Sequence, residues 1–413
     1  MRTLSLIISL FFALSMSAQS DFDIARKFMA EKGVTLVNSD KAATRGNAKP
    51  YSIFSGEDNK GFAIVVNGTI VGYSTENSAD ADNMPQALED MLAYYSKSTT
   101  RTRGNYPDWF VPRDIAPIET LITAHWTQAS PFNDSLIIKN GYCVTVAIGQ
   151  ILHYYRIKEC QEVEIWGQDI KTIKERAKIG GLWPIDTTFD ILHRFTLPYT
   201  TFNHDLMFDE VKDIISNFES RKEVAKFMKY VESCISNNVY YTDFQTALGI
   251  TWERYTAHKE IYEREKDDKY EYINAWHGLI EDVYDFMDKY LEDRVPLYAT
   301  CTGTGSSNHA FVVDGRDSDG RYHINWGFKG NLDGYYAVSN DDKRSELNSE
   351  AELIKTFIIL KPKDWTSSIN NKVHYSPTIN ENVYNLKGQK VGDSLEGLPK
   401  GVYIKGGKKY VVR

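Results

Sequence analysis

Residues 141–155 read GYCVTVAIGQILHYY, and this stretch decides the fold. Behind Cys143, apolar residues recur at helical spacing, which predicts a helix that begins close to the cysteine and buries one face. The N-terminus of a helix carries partial positive charge, which favours the thiolate form of a nearby cysteine. A cysteine taken singly is most often an inert core residue, so a catalytic assignment depends on partners elsewhere in the chain.

A histidine and an asparagine late in the chain supply candidate partners. His309 leads into an apolar strand over residues 310–313, and Asn325 lies in a return strand over residues 322–326. A cysteine that opens a helix, followed far downstream by a histidine and an asparagine, is the layout of a thiol-nucleophile enzyme.

The two strands predict a hairpin whose register decides whether these partners meet. If Gly315 pairs with Arg321, Asn325 lies diagonal to His309 on the same face, where it can orient the imidazole. A slip of one residue would put Asn325 on the other face. His323 is the alternative histidine, but His309 follows a Gly/Ser-rich loop, and open loop rims suit catalytic residues.

Composition and charge bound the class of protein. The chain has 413 residues, a net charge of -8 and 42% hydrophobic residues, which indicates a folded chain with a sizeable core. Without a basic stripe, nucleic acid is not an expected partner. The four cysteines match no metal-ligand spacing, and neither a metal nor another cofactor is expected.

The N-terminus has the pattern of a signal peptide. Arg2 precedes an apolar run over residues 4–14, and small residues follow to Ala18. The run is too short to span a bilayer, and no later run reaches the roughly 20 apolar residues that a transmembrane helix needs. The sequence therefore predicts an exported protein, secreted or at the cell surface, with no integral membrane segment.

The remaining chain divides by composition into a small module, a main domain and a tail. Strands are predicted at 50–54, 61–66 and 70–73, with Asn67-Gly68 as a hairpin turn, and a helix follows Pro85. A polar linker over residues 96–105 contains Arg101 and Arg103, and exposed loops of this kind are where proteases cut. Two helical patterns and a run of strands then predict an α+β main domain, and the tail reads as β-hairpins. The helical patterns lie at 209–234 and 274–291, and the strands at 296–300, 310–314, 322–326 and 335–338.

Several of these segments together resemble the streptopain family of papain-like cysteine peptidases. The resemblance covers most of residues 50–360 and is carried by the Cys143 and His309 segments, by Asn325-Trp326-Gly327 and by residues 331–336. Residues 59–65 and 82–88 are similar to the inhibitory propeptide of the family, and residues 126–133 to its oxyanion-glutamine loop.

The resemblance implies a secreted zymogen that acts on protein or peptide substrates and binds its own propeptide. It implies a papain-like α+β peptidase domain behind a small α+β propeptide domain. Cys143 would be the nucleophile and His309 the general base and acid. Asn325 would orient the histidine, Trp326 would shield that contact, and Gln128 would donate to the oxyanion. The expected division is a signal peptide (1–18), a propeptide (19–103), a peptidase domain (104–362) and a β tail (363–413). This tail resembles segments of exported Bacteroidetes proteins, some of which serve as sorting signals. The alternative is a β-hairpin that only packs on the domain.

Departures from the family pattern leave two other functions open. Tyr142 and Asn308 stand where the family usually has glycine, Thr145-Val146 replaces Ala-Thr, and Phe328-Lys329 replaces a Trp-Gly pair. Bulky groups beside the catalytic residues are compatible with a catalytically silent relative that acts as a binding or inhibitory protein. A transglutaminase-like acyltransferase, which uses a similar Cys–His pairing, is the second alternative.

Overall fold

The structure is a computed structural model of the chain. It describes residues 21–37, 50–98, 105–107, 109–136, 142–173, 187–236, 241–257, 276–302, 308–339 and 352–365, and in the tail 383–385, 390–392, 399–405 and 408–412. The signal peptide, Arg101, Arg103 and the loop over residues 303–307 lie outside the described residues.

The N-terminal module packs two helices on four strands. Helix α1 covers residues 21–31, and helix α2 covers Gln86–Ser98. The strands are β1 (Leu36–Val37), β2 (Tyr51–Gly56), β3 (Phe62–Val66) and β4 (Thr69–Ser74). The predicted turn between β3 and β4 is confirmed: Asn67 and Gly68 have φ angles of 49° and 81°, the left-handed conformation that a two-residue hairpin turn requires.

The main part of the chain is a mixed α+β structure, as predicted. Its helices are α3 (Tyr142–Tyr154), α4 (Val211–Ser216), α5 (Phe218–Ser236), α6 (Tyr241–Leu248) and α7 (Val283–Glu292). Its first strands are β5 (Glu159–Cys160), β6 (Val163–Ile173), β7 (Thr187–Leu197), β8 (Thr200–Thr201), β9 (Ile250–Thr256) and β10 (Trp276–Leu279). Its later strands are β11 (Leu297–Thr302), β12 (Asn308–Arg316), β13 (Tyr322–Asn325), β14 (Gly334–Tyr336) and β15 (Glu352–Pro362).

One sheet joins the N-terminal module to the main part. Among the described residues its strand order is β1-β2-β3-β4-β14-β13-β12-β11-β15-β9-β10, and the junction is the antiparallel pair β4–β14. The helices α3 and α5 pack on one face of this sheet. They form a core with Ala310 and Val312 of β12, so the helix that begins near Cys143 lies directly on the strand that carries His309.

One predicted helix is wrong at its start. The pattern over residues 274–291 predicts a single helix, but Trp276–Leu279 forms the strand β10, which pairs in parallel with β9. The helix α7 begins later, at Val283, where the Asp282 side chain accepts hydrogen bonds from the backbone N–H groups of Tyr284 and Asp285. An N-cap of this kind fixes the first turn.

Residues 364–413 form a second compact unit. Its described strands are β16 (Val383–Asn385), β17 (Lys390–Gly392), β18 (Gly401–Lys405) and β19 (Lys408–Val412), in the sheet order β17-β16-β18-β19 with antiparallel pairing throughout. The β-hairpins that the tail sequence predicts are therefore confirmed. In the part of the chain that is described, no helix combines the length and apolar character needed to cross a membrane.

Candidate active site

Cys143 is the second residue of helix α3 and carries a free thiol. Its side chain is half-buried, while Val146, Ile148 and Ile151 behind it are inserted into the main core. The apolar spacing that predicts the helix is therefore the spacing that anchors it. The result is a reachable thiol at the N-terminus of a helix.

His309 lies near the start of β12 with its ring among aromatic side chains. The ring centroid is 5.6 Å from that of Phe328 and 6.1 Å from that of Trp326, whose plane is tilted by 21°. Nε2 lies 3.0 Å from the carbonyl oxygen of Trp326. A carbonyl oxygen can only accept, so Nε2 carries the proton and Nδ1 keeps a free lone pair.

The surroundings of His309 keep it neutral in this structure. Burial lowers the pKa of His309 to about 4, and the hydrogen bond to the Trp326 carbonyl only partly opposes this shift. A neutral imidazole with its proton on Nε2 has Nδ1 available as a base. The Trp326 carbonyl thus fixes the tautomer and holds the ring that Asn325 was expected to orient.

Asn325 lies on the opposite face of the hairpin from His309, because the predicted register is wrong. Gly315 pairs with His323 rather than with Arg321, and beyond a bulge at Asp314 the partner of Asn325 is Val312. The predicted partner of Asn325 was Phe311, so the offset there is the one-residue slip that reverses a face. The Asn325 amide contacts Gln150, Ala124 and Gly327, and it makes no hydrogen bond to His309.

Trp326 takes the face that Asn325 leaves. Its ring is buried, lies nearly parallel to that of His309 and packs 4.9 Å from Phe311 and 5.7 Å from Tyr336, measured between centroids. Its backbone N–H donates to Asp333 Oδ1 at 2.7 Å. The structure therefore places Trp326 against the histidine, with both of its backbone polar groups in use.

Gln128 lies after a backbone segment that is held on two sides. Thr127 forms a bridge with Phe328, and the Lys329 N–H donates to the Trp126 carbonyl. The Gln128 side chain is half-buried, and its Nε2 is buried without a hydrogen-bond partner among the described residues. A buried amide donor without a partner is costly, which is typical of a group kept for a ligand or a reacting atom.

The other candidate cysteines and histidines are less suited to catalysis. Burial raises the pKa of Cys160 to about 12, and burial with smaller effects of Asp90 and Cys143 raises the pKa of Cys301 to about 12. His323 is buried with its Nδ1 2.6 Å from Asp314 Oδ1. Burial lowers the pKa of His323, but the Asp314 carboxylate outweighs burial and raises it. This histidine is engaged in an internal ion pair.

Models of two known protein families match this chain. A model of the Peptidase C10 family matches residues 126–336, just over half of the chain. The chain belongs to the Peptidase C10 family. A second model, described as the Spi protease inhibitor, matches residues 8–99. The order of inhibitor and C10 peptidase regions is the order that the sequence resemblance implies.

Two curated relatives are proteases. The chain is 28% identical over 351 residues to the thiol protease/hemagglutinin PrtT of Porphyromonas gingivalis, an alignment that covers 76% of this chain and 38% of that protein. It is 42% identical over 52 residues to streptopain of Streptococcus pyogenes, which is 13% of each chain. The chain therefore spans well under half the length of PrtT.

Two solved structures of Prevotella intermedia proteins are also similar. Prointerpain A matches with a TM-score of 0.48 and 18% sequence identity, over 76% of this chain and 96% of the solved chain. The active wild-type interpain A cysteine protease matches with a TM-score of 0.36 and 19% identity, over 60% of this chain and 98% of the solved chain.

The inhibitor region of this C10 chain is bound to the peptidase region by backbone and side-chain hydrogen bonds. Tyr73 OH donates to Asp317 Oδ2 at 2.9 Å, and Tyr95 OH donates to the Ala337 carbonyl at 2.8 Å. Asn331 Oδ1 accepts from the Asp80 N–H, and its Nδ2 donates to the Asp80 and Asn83 carbonyls. The Asn331 contacts therefore attach the inhibitor region to the loop that follows Trp326.

Two residues that the sequence analysis did not single out belong to the site. Gln150 is completely buried and contacts both the Gln128 segment and Asn325. Asp333 is completely buried and holds the Trp326 N–H. The signal for Gln150 was its place two turns after Cys143, between the apolar residues Ile148 and Ile151, since a buried amide requires hydrogen-bond partners. Asp333 lies within the family-like segment 331–336, but nothing in that segment indicated its role, because its partner is a backbone group.

Proposed function

We propose that the chain is a cysteine endopeptidase made as a zymogen, with Cys143 as nucleophile and His309 as general base and acid. One observation carries the proposal. The helix that presents the half-exposed Cys143 thiol packs on the strand of His309, whose Nε2–H is held by a carbonyl so that Nδ1 is left as a proton acceptor. Thiol catalysis requires a base with a fixed tautomer within reach of the thiol.

The reaction follows from these groups. The Cys143 thiol gives its proton to His309, and the sulfur attacks the peptide carbonyl carbon, so that a C–S bond forms and the oxygen takes up negative charge. Gln128 Nε2 and the Cys143 backbone N–H would donate to this oxygen, a contribution of roughly 3–4 kcal/mol per donor in enzymes where it has been tested. His309 then protonates the leaving amine as the C–N bond breaks. Water, deprotonated by His309, releases the acyl group and restores the thiol.

The inhibitor region supports the zymogen part of the proposal. We place the propeptide at residues 19–103 and the peptidase domain at 104–362, with cleavage in the segment that contains Arg101 and Arg103. Residues 1–18 would be removed on export, which makes the protein secreted or surface-bound, and the tail at 363–413 would serve sorting. The physical basis for inhibition is the β4–β14 pairing together with the Asn331 contacts, which fix the inhibitor beside the Trp326 loop.

A cleavage assay tests the proposal. The full chain is purified with and without limited trypsin treatment, trypsin is then inhibited, and both forms are assayed on casein. We expect hydrolysis from the processed form and little from the intact one, and a Cys143→Ala chain treated identically should give none. Equal rates before and after processing would contradict the zymogen assignment.

A thiol-directed epoxide distinguishes the proposed peptidase from a silent relative. Such a reagent should modify the processed chain at Cys143 and leave the Cys143→Ala chain unmodified. A binding or inhibitory protein without a functional Cys–His pair would remain unlabelled and would not hydrolyse casein. Incorporation of an amine into casein without hydrolysis would instead indicate acyl transfer.

A further inference from the structure

Gln150 is a completely buried amide in the middle of the helix that begins at Cys143. It lies seven residues after the cysteine, which is two helical turns along the same face. Its neighbours on the helix, Ile148 and Ile151, are core residues. A glutamine in such a position would be destabilising unless both ends of its amide were paired.

Both ends of the Gln150 amide are paired, and each with a different segment. Oε1 accepts the backbone N–H of Trp126 at 3.1 Å, and Nε2 donates to Asn325 Oδ1 at 3.2 Å. Asn325 in turn donates from Nδ2 to the Ala124 carbonyl at 3.0 Å, and its Oδ1 also accepts the Gly327 N–H at 3.0 Å. The two amides therefore hold the backbone of residues 124–126 against helix α3.

The segment held in this way leads directly to Gln128. On its other side it is fixed by the Lys329 N–H to the Trp126 carbonyl and by the bridge between Thr127 and Phe328. The Trp126 peptide is thus bound through its N–H to the nucleophile helix and through its carbonyl to the loop behind Trp326. The backbone that leads to Gln128 is therefore attached both to helix α3 and to the loop after Trp326.

We propose that Gln150 is a positioning residue that sets the place of the Gln128 oxyanion donor relative to Cys143. The inference rests on the proposed function, because an oxyanion donor has a role only if acyl transfer occurs. A displacement of about 1 Å in a catalytic group can cost on the order of a hundredfold in rate. Loss of Gln150 should lower kcat and leave KM nearly unchanged, because the Gln150 side chain is buried in the core and cannot contact a substrate.

A double-mutant cycle tests whether Gln150 acts through Gln128. Gln150→Met keeps the length of the side chain and removes both hydrogen bonds, so kcat of the processed full chain should fall about 100-fold with KM within roughly threefold. Gln128→Ala should lower kcat about 100-fold or more by removing the donor itself. The double variant should be no slower than Gln128→Ala, since a misplaced donor and a missing donor are equivalent.

A second variant and a matched control separate positioning from loss of stability. Gln150→Glu keeps the acceptor for Trp126 but sets a carboxylate against Asn325 Oδ1, whereas the protonated carboxyl can donate to that oxygen. Its kcat deficit relative to the unsubstituted chain should therefore shrink as the pH is lowered from 8 to 5. Tyr230→Phe removes a hydrogen bond to the Pro198 carbonyl in the same core. It should lower the melting temperature and leave kcat within about twofold.

The outcomes distinguish the two proposals. If the unsubstituted processed chain hydrolyses casein and the losses from Gln150→Met and Gln128→Ala multiply, the positioning role is overturned and the peptidase assignment stands. A Gln150→Met chain that is destabilised but retains its kcat would also overturn the positioning role. If the unsubstituted chain neither hydrolyses casein nor reacts with a thiol-directed epoxide, the proposed function fails and the role of Gln150 fails with it.

Discussion

His309 shows how one backbone carbonyl can determine the chemistry of a side chain. Its Nε2–H is bound to the Trp326 carbonyl, and burial keeps the ring neutral with a pKa of about 4. Since the proton is fixed on Nε2, the lone pair that can accept a proton is on Nδ1. The thiol that can donate one is Cys143, because the other two described free cysteines, Cys160 and Cys301, have pKa values raised by burial to about 12.

The first prediction compares the proposed nucleophile Cys143 with Cys301. Cys143→Ala should reduce casein hydrolysis by the processed chain by at least about 10³-fold, because the nucleophile is absent. Cys301→Ala should leave the rate within roughly threefold, because its thiol stays protonated near neutral pH. Initial rates on casein measure both. Retention of activity by Cys143→Ala, or its loss in Cys301→Ala alone, would show that the nucleophile has been misassigned.

The loop between β13 and β14 is an element whose main anchor is a buried carboxyl group. Asp333 Oδ1 accepts the Trp326 N–H, while Oδ2 is buried with no hydrogen-bond partner in the described chain. Burial raises the pKa of Asp333 to about 6, and His323 and His125 reduce the shift only in part. Lys329 in the same loop has a φ of 58°, a conformation that glycine adopts more readily.

The second prediction concerns the stability of this loop. A carboxyl group whose pKa is raised in the folded state destabilises the fold when it ionises. This destabilisation grows as the pH rises from 3.8 to about 6. Asp333→Asn keeps the acceptor for Trp326 and removes the buried charge. Its gain in unfolding free energy should grow from about 1 kcal/mol at pH 4.5 to at most about 3 kcal/mol above pH 7.

Urea denaturation at the two pH values, in a Cys143→Ala background that prevents autolysis, measures this difference. Asp58→Asn, at an exposed aspartate, is the matched control and should change little at either pH. An equal effect of Asp333→Asn at both pH values would show that the Asp333 carboxyl group does not titrate as described.

The elements also show which features the sequence could predict. Helix α3 and the Asn67-Gly68 hairpin are determined by local signals, and both were predicted. The register around Asn325 was not, because the bulge at Asp314 leaves no trace in an alternating pattern. Strand β10 was taken for helix because its pairing with β9 is a tertiary contact. The contacts of Gln150 join residues up to 175 positions apart, which no local pattern records.

At the scale of the whole molecule, the inhibitor region and the peptidase region share one sheet. The pairing of β4 with β14 places Tyr73 opposite Tyr335, and the Asn331 side chain connects the peptidase loop to Asp80 and Asn83. Inhibition in the proposed zymogen therefore depends on strand pairing, on the Tyr73 and Tyr95 hydrogen bonds and on the Asn331 loop. Its strength should depend on the hydrogen bonds at that loop.

The third prediction weakens this connection at one residue. Asn331→Ala removes three hydrogen bonds to the inhibitor region, each worth about 0.5–1 kcal/mol at an exposed site. A total of about 2 kcal/mol corresponds to roughly 30-fold more of the open form. Hydrolysis of a fluorogenic peptide by the intact chain, with Arg101 and Arg103 replaced by alanine to prevent processing, should rise by this factor.

A second asparagine provides the control for that measurement. Asn203→Ala removes a helix-capping hydrogen bond to the Asp205 N–H, which lies within the peptidase region. It should leave the basal rate of the intact chain unchanged. A similar rise in both variants would indicate general loosening of the fold, and no rise with Asn331→Ala would show that the loop contact does not contribute to closure.

The shared sheet has one more consequence. When the inhibitor region with β4 is removed, β14 becomes an edge strand whose backbone N–H and C=O groups are exposed to solvent. Exposed edge strands can pair with other polypeptides. Strand β14 has only three residues, Gly334–Tyr336, so little of the ladder is uncovered. Removal of the inhibitor region would therefore expose a sheet edge too short to favour self-association.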